Sequence, residues 1–93
     1  MDNVYVFNDI NYVVLKDDFN IFDYDELKEM VTSYFNDFDY IFGDMAYNKI
    51  RLKGLCDKKN KNYKDFNAIE NLDSYIKDYC AYGCKWFVLK KMQ

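Results

Sequence analysis

The most regular stretch of the chain is residues 39–56, DYIFGDMAYNKIRLKGLC. In its first half Tyr40 and Phe42 alternate with Ile41 and Gly43; in its second half Ile50 and Leu52 alternate with Lys49, Arg51 and Lys53. A period of two marks a half-buried strand. The stretch therefore predicts a β-hairpin with a polar turn, in which Ile50 and Leu52 face a core and the three cations share the other face. Residues 4–7 and 11–16, rich in Val and Tyr, predict an earlier hairpin joined through Asn8, Asp9 and Ile10, the first two of which tolerate turn conformations. Residues 16–20, with adjacent Asp17 and Asp18, read as a loop.

Two stretches change period. Asp23 with Glu26 forms a capping box and Phe22 with Leu27 a hydrophobic staple, so a helix starts here. Leu27, Met30, Val31, Tyr34, Phe35 and Phe38 then recur as one helical stripe, and Asp25, Glu26 and Glu29 complement the positive end of the dipole. Residues 57–62, DKKNKN, hold no apolar residue and predict an exposed, mobile loop. Asn67 with Glu70 offers a second capping box, and Ile69, Leu72, Tyr75, Ile76, Tyr79 and Cys80 keep the helical spacing until Gly83 ends it. Residues 86–89 are apolar on both faces and fit an interior strand. The order strand, strand, helix, strand, strand, helix, strand predicts an α+β fold: a single antiparallel or mixed sheet of about five strands with two helices packed on one face. Neither a repeat nor a linker interrupts it, so residues 1–93 read as one domain.

Composition adds two constraints. A chain that is 51% hydrophobic and 20% aromatic carries a folded core. Asn, Lys, Tyr, Ile and Phe are abundant while Pro and His are absent, as an AT-rich coding sequence gives, so aromatic content alone argues nothing further. The net charge of −3 conceals two unlike halves: residues 1–47 hold eleven acids against two bases, and residues 48–93 eleven bases against five acids. Either the halves attract each other within the fold, or an acidic helix face sits against a basic sheet face that attracts an anionic partner. There is no signal-like N-terminus and no run long and apolar enough for a membrane span, and three cysteines do not make a secreted disulfide scaffold; the expected location is cytoplasmic.

Catalytic equipment is sparse. Without His there is no Ser-His-Asp or Cys-His arrangement. Ser33 and Ser74 fall in predicted helices without a base, and Gly43, Gly54 and Gly83 stand singly, so no phosphate-cradling loop exists. Acid pairs such as Asp17 with Asp18 or Asp23 with Asp25 have solvation and capping roles. The expectation is a protein that is not an enzyme and needs no cofactor. Cys80 and Cys84 form a Cys-x-x-x-Cys pair that a metal or redox role would use, but Cys56 with Asp57 would have to complete a zinc site at a spacing unlike known ones. Cys80 at a helix C-terminus is also disfavoured as a thiolate, and Lys85 aids Cys84 only slightly.

The run FDYIFGDMAYNKIRLKGL, followed by YCAYGCKWFVLKK, resembles the YutD-like family, small single-domain proteins of Gram-positive bacteria and mollicutes. Gly43 with Asp44, the run of Arg51, Leu52, Lys53 and Gly54, and Cys80 with Cys84 match its pattern; Met45 and Ala46 depart from the Trp and Gly usual there. The resemblance implies a fold and carries no biochemical function.

The row Lys49, Arg51 and Lys53 is the strongest candidate surface, with Lys58, Lys59 and Lys61 in the next loop and Asp44 and Tyr47 in the turn as secondary contacts. The favoured reading is an interaction surface for an acidic patch on a protein partner. The alternative is single-stranded RNA, with the cations on phosphate and Tyr40 and Phe42 stacking on bases, although the common RNA-recognition motif is missing and the net charge is negative. A solvated face whose lysines discourage edge pairing is the plainest account, and a homodimer contact through the last strand and the tyrosines is a further one.

Overall fold

The computed structural model describes residues 4–79 and 84–92. Both hairpins close on two-residue turns in which each residue takes a positive φ: 54° and 65° at Asn8 and Asp9, 52° and 64° at Tyr47 and Asn48. Such turns match the right-handed twist of the strands they join. They connect β1 (Val4–Phe7) to β2 (Ile10–Lys16) and β3 (Tyr40–Ala46) to β4 (Lys49–Leu55). The last strand, β5 (Trp86–Lys91), lies between the two hairpins, giving one antiparallel sheet in the order β1-β2-β5-β3-β4. Phe87, Val88 and Leu89 are buried, as their two-faced apolar pattern requires.

The helices correct three expectations. Helix α1 (Tyr24–Met30) begins as predicted, with the Asp23 carboxylate accepting the Glu26 amide, but it stops at Met30 instead of running on to Phe38. Val31 and Thr32, both β-branched, adopt extended backbone, and a separate 3-10 turn, Ser33–Asp37, follows. Phe35 still reaches the core that holds Leu27 and Val31, and Phe38 packs against it, so the stripe survives a break in the backbone. Helix α2 is shorter than predicted, Leu72–Tyr79, and is preceded by the 3-10 turns Asp65–Asn67 and Ile69–Asn71. Asn67 does not cap it. Its Oδ1 accepts the Lys64 amide and its Nδ2 donates to the Asn62 carbonyl. Cys80 and Gly83, assigned to the end of this helix, lie outside the described residues.

The two helices also pack on opposite faces of the sheet, not on one. Leu27 of α1 joins Phe7, Tyr12, Ile41, Ile50, Phe87 and Leu89, whereas Leu72, Tyr75 and Ile76 of α2 pack on Tyr40, Phe42, Leu55 and Val88. Strand β3 is apolar on both sides, which leaves a second face needing its own cover.

Residues 57–62 are not loose. The Asp39 carboxylate accepts the Asp57 amide and the Asn60 side chain, which also donates to the Asp37 carbonyl, while Asn60 Oδ1 accepts the Asn62 amide. Polar side chains do here what an apolar contact does elsewhere. Asp17 plays the same part earlier, its two oxygens accepting the amides of Ile21 and Phe22.

Two core features generate predictions. A Cβ on Gly43 would lie 2.2 Å from the Phe87 ring, its cross-strand neighbour, so Gly43→Ala forces that buried ring aside. The expected loss is about 1–3 kcal/mol by urea unfolding. The Tyr12 hydroxyl is buried with no hydrogen-bond partner among the described residues, and burial pushes its ionisation up. Tyr12→Phe is expected to keep the fold and add about 1 kcal/mol in the same assay.

Candidate interaction surface on the central hairpin

Counting outward from the turn at Tyr47 and Asn48 pairs Ala46 with Lys49, Asp44 with Arg51 and Phe42 with Lys53. Alternation puts Tyr40, Phe42 and Asp44 on the face that also carries the three cations. The sequence pattern puts Tyr40 and Phe42 with the cations, as observed, but assigns Asp44 to the turn; the structure sets Asp44 within β3 opposite Arg51, because the turn is only two residues long, and gives the members of this face unlike surroundings.

Arg51 is engaged within the sheet. Its Nε donates to Asp44 Oδ1 at 3.0 Å and its Nη2 to Oδ2 at 2.7 Å, a bidentate pair between directly opposed residues. The Asp44 side chain is 4% exposed and the Arg51 side chain 55%. The aspartate is thus a buried charge, and the guanidinium neutralises it from the solvent side. Among the described ion pairs this one joins the acidic first half to the basic second half; the pairs Lys16–Asp18, Lys28–Asp25 and Lys58–Glu70 each stay within a half.

Lys53 is half-covered. Its ammonium sits 5.6 Å from the centroid of Phe66 and 5.1 Å from that of Tyr75, so it is held between rings from the 3-10 turn and from α2. Lys49, nearest the tip, is exposed. Lys58, Lys59 and Lys61 are exposed as well.

The aromatic residues are distributed differently from the expectation. Tyr40 and Phe42 share the face of the cations, yet both are buried beneath α2; Phe42 packs edge-on to Tyr75 at 5.6 Å and against Trp86 at 5.9 Å. Neither ring is available for a base to stack on. The Tyr40 hydroxyl donates to Asp57, and burial followed by the nearby carboxylate charge holds its ionisation above the usual range. Other aromatics are exposed instead: Tyr47 is 98% exposed, Phe66 70% and Tyr34 66%. Tyr47 combines full exposure with a left-handed backbone, which costs a bulky L-residue about 1–2 kcal/mol.

Periodicity did not single out Phe66, because it sits in a polar run. Tyr34 fits the helix stripe by spacing, which predicts a core position, yet it stands exposed beyond the end of α1. The burial of Tyr40 and Phe42 had a legible signal in the aromatic residues alternating with Ile41 on β3.

Cys56 is fully buried, and burial, reinforced by the Asp39 charge, pushes its thiol up, away from nucleophilic character. The Cys84 sulfur lies 3.6 Å from the Lys85 carbonyl. Cys80, the other half of the Cys-x-x-x-Cys pair, is outside the described residues. Among the described residues no three Cys, Asp or Glu side chains converge as metal ligands. No helix there is long and apolar enough to cross a membrane.

These environments predict opposite outcomes for neighbouring cations. Arg51→Ala strips the bidentate partner from a buried carboxylate and is expected to cost about 2 kcal/mol in urea unfolding. Lys49→Ala, at an exposed position, should stay within about 0.5 kcal/mol of the native chain.

A family described as "Putative antitoxin YutD-like" matches residues 6–90. The chain is 40% identical over 78 residues to a Bacillus subtilis (strain 168) protein described as "Putative antitoxin YutD", an alignment spanning 84% of this chain and 82% of that protein. Its fold is similar to the solution NMR structure of protein yutD from B. subtilis, with a TM-score of 0.77 and 31% identity over 97% of this chain and 82% of the other. With nearly its whole length matched in sequence and in the five-stranded α+β fold, the chain belongs to the YutD-like family.

Proposed function

We propose that the protein is a cytoplasmic, non-catalytic binding module whose central hairpin docks on an acidic surface of a protein partner. The observation that carries this reading is the tip of the hairpin, where Tyr47 is held fully exposed in an unfavourable left-handed turn. A position serving only the turn would take Asn or Gly at lower cost. Lys49, two residues further along the chain, is also exposed, and an exposed aromatic close in sequence to a cation is a composition that recurs at protein contacts.

The description of the family and of its B. subtilis relative as an antitoxin supports the same class of role. Holding a toxin inactive needs a contact surface and no chemistry of its own. The engaged residues Asp44, Arg51 and Lys53 then act as the frame that fixes the hairpin, and Tyr47 and Lys49 as the groups that reach the partner.

The test is affinity capture from the source cell's lysate with the native chain and a Tyr47→Ala, Lys49→Glu variant, both positions being exposed. One protein retained by the native chain in near-equal amount, through nuclease treatment, and lost on the variant is the expected result. Retention of nuclease-sensitive RNA instead, or the same proteins on both baits, would overturn it.

A further inference from the structure

Strand β4 ends the sheet, and the direction of its backbone groups can be read from its neighbours. The Met45 amide donates to the Lys85 carbonyl and the Lys91 amide to the Asp39 carbonyl, so the odd-numbered residues of β3 turn toward β5 and the even-numbered ones toward β4. With Asp44 opposite Arg51, it follows that Lys49, Arg51 and Lys53 turn their backbones inward and Ile50, Leu52, Gly54 and Cys56 turn theirs outward. Cys56 bears this out: its amide donates to the Asn67 carbonyl at 2.7 Å and its carbonyl accepts the Ile69 amide at 3.0 Å, a parallel bridge to Ala68. The chain thus adds one rung of a sixth strand at Cys56 and then leaves the edge. At Gly54, Leu52 and Ile50 the outward amides and carbonyls take no backbone partner among the described residues. The opposite edge of the sheet differs, because there the Tyr24 hydroxyl donates to the Val6 carbonyl at 2.8 Å.

We propose that this edge of β4 accepts an extended acidic segment of the partner as an added strand, an inference that rests on the protein-binding role argued above and specifies how the partner is held. A cleft of about 430 Å³ runs beside these unpaired rungs, of which Leu52 is partly exposed and Ile50 and Gly54 are buried, and it is lined by Tyr34, Phe38, Leu52, Gly54 and Phe66 among others. Phe38 lies against Gly54 and beside Tyr34, on the face packed by α1, while Phe66 contacts Lys53 on the other. Exposed rings therefore flank the edge from both sides, which suits the alternating side chains of an extended segment. The charge selects the occupant. A second copy pairing antiparallel through β4 would bring Lys49 and Lys53 close to the same lysines of the other copy, and like charges across strands disfavour that arrangement. Acidic residues at alternate positions of an incoming strand meet Lys49 and Lys53 favourably, Arg51 being engaged by Asp44.

The probe is a short acetylated peptide alternating valine and glutamate, long enough to span the three rungs, with a valine–lysine peptide as its counterpart. Amide resonances and hydrogen exchange of the native chain are followed during titration. At about millimolar peptide, the acidic probe is expected to slow exchange at Ile50, Leu52 and Gly54 by about tenfold, and the lysine counterpart to leave them unchanged. Leu52→Pro, which removes an outward donor and the Leu52 side chain's core contact but keeps the inward bonds of its neighbours, should abolish the effect. Equal response to both peptides, protection confined to other residues, no response, or concentration-dependent protection of these amides in the chain alone would overturn the proposal. The first three leave the hairpin-tip contact to be judged by the capture experiment, so the two readings fail separately; the two peptides keep the test decisive if Leu52→Pro does not fold.

Discussion

Everything in the sheet depends on β5. The two hairpins form no ladder with each other; each is bonded to the C-terminal strand, β2 on one side and β3 on the other. An isolated hairpin is marginal in water, and neither could bury its apolar face until residues 86–91 arrive between them. The approach on the β3 side is close because Gly43 presents no side chain, which lets the Phe87 ring lie across the neighbouring strand with Phe22 edge-on at 5.6 Å. Val88 turns to the opposite face and meets the second helix. One strand thus seeds two cores, and the burial on both faces accounts for the run of apolar residues in the sequence.

The burial on both faces explains where the helices go. After β4 the chain is tied down by the Asn60, Asn62 and Asn67 bonds and by the bridge at Cys56, then delivers α2 to the face opposite α1. Cover by α2 is concentrated over β3, the inner part of β4 and β5, where Tyr40, Phe42, Leu55 and Val88 lie. Along β4 the environment therefore changes from Leu55 and Cys56, fully enclosed, through half-covered Lys53, to Lys49 in solvent.

The strands, their turns and the start of α1 were legible in the sequence because each rests on local chemistry: alternation, residues that accept positive φ, an aspartate able to take an orphan amide. The register of the central hairpin was less legible, since Asp44 reads as a turn residue and only the two-residue turn at Tyr47 and Asn48 carries β3 on to Ala46 and sets Asp44 opposite Arg51. What periodicity misses is the backbone between side chains. Leu27, Val31, Phe35 and Phe38 are spaced for a helix, and an interrupted helix followed by a 3-10 turn brings them to the same core. Asn67 misled for a related reason, because the same amide that caps a helix can stitch a loop, and its burial decides which. The cation row was legible as a face, whereas the ownership of each charge depended on a carboxylate and two rings brought in from β3, the 3-10 turn and α2.

That difference in ownership bears on how a basic strand can serve recognition. A charge already bonded to a buried carboxylate, as Arg51 is, offers little net attraction to a second anion, and changing it disturbs the fold before it reports on binding. A charge between two rings, as at Lys53, retains its field but has lost much of its freedom to move. Lys49, beyond the reach of α2, keeps both. The field of the row is then strongest toward the tip, where Tyr47 also projects, while the backbone groups with no backbone partner among the described residues lie farther along the same strand. A partner that reads charge first would meet the tip before the open rungs, an order that follows from the half-cover by α2 and not from the spacing of the lysines.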